Sequence, residues 1–572
     1  MTAQVAEACP DPVPAADIVP GLIGDGLTVV TGDTPQPFKV KVLGILTDGI
    51  GAGRDMVMIE VYDLDGQKVV GDNGIWSGMS GSPVYVNGKL LGAVSYGFTA
   101  SPSPIGGLTP AADMLALLGS GPGQAKTASA ARTKVALTAS QRTALDGRAT
   151  AAVPRTTLQR LRTPLSVSGL NSKRLSSLQG AFDGAGRPVV TYAGSRASAA
   201  GPTAAAPVPG GNFAAVLTSG DLTIGGVGTT TAVCGNQVLA FGHPMDFAGK
   251  VTYGANAATS LAIVKDSSYG SFKMANIGGT FGTVDQDRLA AIRATLGQGP
   301  VTTPITSTIT NLDNRRTRTG TTQVAAPDYT AIATVYGLWA NYDSTFDKWG
   351  RGLATSDWTI RGTRAGGKAF VVNRSNMWSS LGDPTIDPAI EVADAVDSIL
   401  SNEFEPVKIT GVGFRSSVKS AYDQYRITKI AVSVNGGKYK TTSVIKVKPK
   451  AKLKVRVTMR GYQSTVDRTV VLNLKVAKRY AKQTGTLTVQ GGLDGSSSPE
   501  TDPSCLLDAC DEPDGSLNSI IAGITSPPAN NAVRADLDFD ENAEGEFSVD
   551  ARNTAAAPVS GSKSIVIKVK KK

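Results

Sequence analysis

The chain has 572 residues, 41% of them apolar and 18% charged, with a formal net charge of +10. This composition excludes wholesale disorder, and the length calls for about two to four domains rather than one core. Four scattered cysteines exclude a disulfide-dense scaffold, and no apolar run reaches the roughly 20 residues of a membrane helix. The 65 glycines, set against 14 phenylalanines and 5 tryptophans, point to many turns and short strands, hence a mostly-β chain. A single histidine, His243, rules out a zinc site built on several imidazoles, and no C-x2-C pair replaces them. No metal or other cofactor is expected, and any imidazole chemistry must use His243.

The opening residues, MTAQVAEACPDPVPAADIVPG, lack a basic n-region and an apolar h-region, so no signal peptide is visible. They read like the start of a mature secreted chain, and an extracellular or cell-envelope location is expected. Cys505 and Cys510 are separated by four residues, a spacing compatible with a local disulfide. Cys9 and Cys234 pair only if the fold brings them together.

Residues 37–98 alternate apolar and polar positions with turn punctuation, the pattern of antiparallel strands. The GIGAG glycines at 49–53 join two strands and so predict a hairpin rather than a nucleotide loop. A short helix is expected after Pro110. Residues 121–207 are rich in Ala, Ser, Thr and Arg and read as a linker or helical insertion, with short helices at TLQRLRTPL and NSKRLSSLQGAF and linker at GSRASAAGPTAAAPVPGG. Strand patterns resume at Asn212 and run to about residue 375. Asp387 then predicts a helix cap, with Pro388 in the first turn and Ile390, Ala393, Val396 and Leu400 on one face.

From Val407 to Gln483 strands return, with 19 Lys+Arg against 2 Asp, a net of +17. Residues 491–550 carry 14 acids and one Arg, a net of −13. The acidic stretch is expected to fold over the basic sandwich, or each segment to meet its own partner. The basic segment has few aromatics, so nucleic acid is not an expected partner. Asp536, Asp538 and Asp540 lack the glycine and glutamate that a calcium loop needs.

The most informative stretch is Gly78-Met79-Ser80-Gly81-Ser82-Pro83, in a turn before a strand. Small neighbours let a substrate carbonyl approach Ser80, and the Gly78 and Ser80 backbone N–H groups can converge on an oxyanion. His243 stands between Gly242 and Pro244 at the end of an apolar strand, in a constrained turn.

Together, GIWSGMSGSPVYVNGKLLGAVSYGF and VLAFGHPMD resemble the signature segments of the SpoIVB-type serine peptidases, in the trypsin-like superfamily. GGTFGTVDQDRLAAI, at 278–292, resembles the segment that follows the histidine motif there. The resemblance covers about residues 20–300 and implies Ser80 as nucleophile, His243 as base and Asp63 as orienting acid, with Asp65 second. Here the serine segment comes 163 residues before the histidine, the reverse of the family order. It implies a trypsin-like double β-barrel with its halves permuted: a serine-bearing half at 1–120 and a histidine-bearing half at 208–402. A basic β-sandwich at 403–492 and an acidic low-complexity segment with a C-terminal strand at 493–572 follow. The function this implies is a serine endopeptidase acting on a protein or peptide substrate, with activity falling through an ionisation near pH ~6.5. A silent scaffold on the same fold, holding an anionic cell-envelope polymer, is the alternative.

Overall fold

The computed structural model describes residues 9–98, 102–119, 133–154, 156–196, 206–495, 503–507, 515–539 and 549–571. They fall into two compact units, one of residues 1–304, 321–340 and 503–508, the other of 305–320, 341–502 and 509–572.

The first unit opens with β1 (Ile23–Thr28), β2 (Gln36–Gly51), β3 (Arg54–Tyr62), β4 (Pro83–Val86), β5 (Lys89–Gly97) and β6 (Ile105–Pro110). They pair antiparallel in the order β1-β2-β3-β6-β5-β4, and β4 pairs back to β1, closing a six-stranded barrel. Closure removes the exposed edges an open sheet would leave. The period of two places Phe38, Val40, Val42, Val57, Ile59 and Val61 in one core. Met56 and Met58, on the other face of β3, join Tyr96, Ile105 and Leu158 in a second. β2 and β3 form the expected hairpin at 49–53, where Gly53 takes φ +68°.

Residues 134–193 add β7 (Lys134–Val135), β8 (Leu158–Arg160), β9 (Thr163–Ser168) and β10 (Val189–Ala193). A second ring then forms from β11 (Asn212–Gly220), β12 (Thr223–Cys234), β13 (Gln237–Ala240), β14 (Gly249–Val264), β15 (Phe272–Arg288) and β16 (Ala291–Leu296). Its order is β11-β12-β13-β16-β15-β14, with β14 paired back through β11, again all antiparallel. Strand for strand, the two rings have the same topology. Both lie in the first unit, which is the double β-barrel expected. Cys9 and Cys234 are disulfide-bonded, with Cα atoms 4.6 Å apart, so the fold does join them. Cys505 is also disulfide-bonded, while Cys510 lies outside the described residues.

The linker expectation for 121–207 is corrected in its described part. Helices Ala139–Asp146 and Ser172–Gly184 form, the second capped by Asn171 as NSKRLSSLQGAF predicted. TLQRLRTPL is not helical: β8 pairs with β5 and β9 with β12. Strand pairing with two barrels outweighs a weak helical period. Glu60 on β3 fastens the preceding loop by accepting from the Thr150 and Ala151 amides at 2.8–2.9 Å. Residues 197–205 of the expected linker lie outside the described residues.

In the second unit, the helix expected from Asp387 runs Ile386–Leu400 and buries Ala389, Val392, Ala393, Val396 and Ile399. Its apolar face is therefore turned from the one predicted, with Ile390 and Leu400 only half-buried. Strand Lys408–Lys419 pairs with Gly352–Thr363 and lies outside the sheets that follow. Where a sandwich was expected at 403–492, a four-stranded and a five-stranded sheet run from Tyr425 to Val569 and share one core. Strand Thr484–Gly491 pairs with Ala532–Phe539 on one side and Ser562–Val569 on the other. The acidic segment thus supplies strands to the five-stranded sheet instead of forming a separate low-complexity tail. Leu537, Val533 and Ile567 enter the same core as Leu453 and Val455. Asp540 lies outside the described residues.

Candidate active site

Ser80 lies on the connection from the third to the fourth strand of the first barrel, and His243 on the connection from the third to the fourth strand of the second. The serine turn is compact. Met79 N donates to Trp76 O at 3.1 Å, Gly81 N to Val94 O at 2.8 Å and Ser82 N to Met79 O at 3.0 Å. Among the described residues the Gly78 and Ser80 amides have no acceptor. These are the two donors expected to meet an oxyanion. Gly78 takes φ +92°, and a β-carbon there would lie 2.7 Å from Lys273 Cβ.

The histidine turn enters through two left-handed residues, Phe241 (φ 69°) and Gly242 (φ 66°). A left-handed phenylalanine is strained backbone, held by its surroundings. Here its N–H reaches Thr229 O at 3.2 Å, and its ring packs edge-on to Phe213. The Asp287 carboxylate organises the rest of the turn, accepting from Met245 N at 2.8 Å, Asp246 N at 2.7 Å and Ala248 N at 3.4 Å. Asp246 in turn accepts from the Tyr329 hydroxyl at 2.9 Å and the Tyr253 hydroxyl at 3.2 Å.

The two turns share a wall. Val94 O accepts from Gly81 N, and a β-carbon on Gly242 would lie 3.3 Å from that same oxygen. The Thr109 hydroxyl donates to Gly242 O at 2.6 Å, tying β6 of the first barrel to the histidine turn. Ser80 and His243 are each only 1% exposed.

His243 Nδ1 is 2.8 Å from Pro244 O. A carbonyl only accepts, so Nδ1 carries the proton and Nε2 presents its lone pair. Nε2 is buried without a partner, and among the described residues Ser80 Oγ makes no hydrogen bond. Burial first, then the nearby Arg160 guanidinium, pushes the His243 pKa down to about 3, so the ring is neutral. Burial, with the Asp246 charge, pushes Asp287 up to about 6.

Asp63 does not reach the imidazole. Its carboxylate accepts from Val69 N and Val70 N at 2.7 Å and Gly71 N at 2.9 Å, organising its own loop. The expected orienting role is corrected: a backbone carbonyl sets the tautomer, and Asp287 sets the turn. The signal for Asp287 lay in GTVDQDR, within the 278–292 segment, but nothing in the spacing marked it. Asp65, the second choice, is exposed. Asp63→Ala should therefore lower stability by about 1–3 kcal/mol, from three lost amide acceptors. It should leave serine acylation within a few-fold of wild type, whereas removing a triad acid would cost about 10⁴. Urea denaturation paired with fluorophosphonate labelling rates checks both halves.

Fold and site together define a double β-barrel protein with a serine turn and a histidine turn apposed. Residues 16–113 match the family described as SpoIVB peptidase S55, a stretch that holds the whole first barrel and Ser80. Over that stretch the chain is similar to the SpoIVB peptidases. The match stops short of His243. No curated protein and no solved structure matches the chain. No helix among the described residues is long and apolar enough to cross a membrane.

Proposed function

We propose that the chain is a serine endopeptidase in which Ser80 is the nucleophile and His243 the base. The observation that supports this reading is the placement of the only histidine and the glycine-flanked serine on equivalent connections of two topologically identical barrels, packed against one strand. His243 Nε2 takes the Ser80 proton as Oγ bonds to the substrate carbonyl carbon. The oxyanion accepts from the Gly78 and Ser80 N–H groups. The imidazolium, its Nδ1–H held by Pro244 O, then protonates the departing amine as the C–N bond breaks. Water repeats the sequence on the acyl-enzyme and frees Ser80. Both side chains are buried, each only 1% exposed.

That burial also favours a second reading: a protein that keeps the fold without turnover, secreted or held at the cell envelope with an anionic polymer as partner. Labelling of the purified chain with a fluorophosphonate separates the two. Covalent labelling that disappears in Ser80→Ala supports the peptidase, and an unlabelled wild type with intact fold supports the scaffold. Cleavage of a peptide library, wild type against Ser80→Ala, then defines the substrate.

A further inference from the structure

Lys273, the second residue of β15, is fully buried. Its backbone runs beside the serine turn: Lys273 N donates to Ser77 O at 2.8 Å, and Ser77 N donates to Ser271 O at 2.9 Å. Its side chain passes beneath Gly78, where a β-carbon would find Lys273 Cβ at 2.7 Å. The amine ends 2.9 Å from Asn212 Oδ1, 3.5 Å from Thr229 Oγ1 and 5.3 Å from the Trp76 ring centre. Thr229 completes the path. Its hydroxyl donates to Gly78 O at 3.1 Å, and its N–H donates to Ser80 O at 2.9 Å.

No carboxylate pairs with this amine among the described residues. Burial alone pushes its pKa down to about 7. A neutral amine has two hydrogens, matching the two oxygens present, whereas an ammonium would keep its third beside nothing but the indole face. As a packing residue this lysine is a poor choice, since a methionine of similar length would fill the space without desolvating an amine. Through Thr229 its amine is linked to the carbonyls of Gly78 and of Ser80 itself, and its backbone N–H to that of Ser77.

We propose that Lys273 is a positioning residue for the nucleophile turn: through Thr229 it fixes the Gly78–Met79 and Ser80–Gly81 peptide planes on either side of the free Ser80 N–H, and its own N–H on Ser77 O fixes the plane that carries the free Gly78 N–H. The catalytic use of that turn rests on the peptidase reading above; the conformational role does not. The second barrel thus contributes a structural clamp on the serine as well as the histidine.

The test compares Lys273→Met, Thr229→Val and the double variant with wild type in the full chain, by amide hydrogen exchange, fluorophosphonate acylation and urea midpoint. Lys273→Met should keep or raise the midpoint at pH 6 while the Ser77, Met79 and Gly81 amides exchange at least about 10-fold faster and acylation slows at least about 10-fold. A residue that only filled the core would lose midpoint and activity together. Thr229→Val removes the hydroxyl that links the amine to Gly78 O while keeping the backbone bond to Ser80 O, and should speed exchange at the Met79 amide and slow acylation as Lys273→Met does, with the double variant no worse than the worse single. Unchanged exchange in the turn, or losses that multiply in the double variant, would overturn the proposal. If Lys273→Met does not fold, Thr229→Val alone decides it by the same exchange criterion. Faster exchange in a chain that never labels would uphold the clamp and sink the Ser80 reading instead.

Discussion

His243→Ala should slow acylation of Ser80 by about 10⁴-fold or more, with the fold retained. The chain has no second imidazole, and Nε2 of this one is the unpartnered acceptor in the buried histidine turn. The backbone of that turn is held by Asp287, Thr229 and Thr109, none of which contacts the imidazole by a hydrogen bond. A variant retaining most of the wild-type rate would sink the assignment of His243 as base.

The structure also revises the pH dependence. An ionisation near ~6.5 is the reference expectation for an accessible histidine. Burial and Arg160 hold His243 at about 3, so neutral base should persist well below pH 6 and the acid limb should move down with it. An acid limb that stays near 6.5 would mean that the reactive form exposes the ring. Stability follows the same sign. The unfolded chain binds a proton on this histidine below about 6.5, and the folded chain does not until about 3. His243 therefore destabilises the fold as pH falls through that window, by up to about 1.4 kcal/mol per unit. Asp287 acts in the opposite sense. Its folded pKa of about 6 lies above its ordinary value of 3.8, so protonation favours the fold between those limits. The two slopes oppose each other between pH 6 and 3.8, and removing His243 should leave Asp287 unopposed. Relative to wild type, His243→Ala should thus gain about 2 kcal/mol between pH 6.5 and 5, measured by urea denaturation at each pH.

Gly81→Ala should be among the most destabilising single substitutions in the first unit, at about 2–5 kcal/mol. Gly81 takes φ +93°, and an added β-carbon would lie 2.0 Å from Thr229 O, 2.5 Å from Phe241 N and 2.9 Å from Phe241 Cα. All three are backbone atoms of the second barrel, so no side chain can swing away. Left-handed strain of about 1–2 kcal/mol adds to an overpacking cost of about 1–3 kcal/mol. Gly53→Ala is the control, with φ +68° but nothing within 4 Å of its β-carbon. It should lose only about 1–2 kcal/mol, the strain alone. Equal denaturation midpoints for the two variants would show that the barrels do not meet at Gly81 as described.

Local chemistry was legible in the sequence wherever one segment decides its own conformation. Period-two alternation marked β2, β3 and β5, the glycines at 49–53 marked a hairpin, and NSKRLSSLQGAF marked a short helix. Glycine-flanked Ser80 and the lone His243 could be singled out because composition left no competitor for the imidazole. The partners of those residues were another matter. Asp63 stood on a plausible strand end, yet its oxygens close a loop at 69–71, while Asp287 reaches the histidine turn from the end of β15. Nothing in the sequence singled out Lys273, which the second barrel buries completely. Acidic residues of the 491–550 stretch looked like a tail because charge says nothing about which strand edge is vacant. Backbone ladders pair almost any residues, so alternation reveals that a strand exists but not its neighbour. Only the closing of two rings brought Thr229 and Phe241 against Gly81, and with them the surroundings that decide which buried groups have partners.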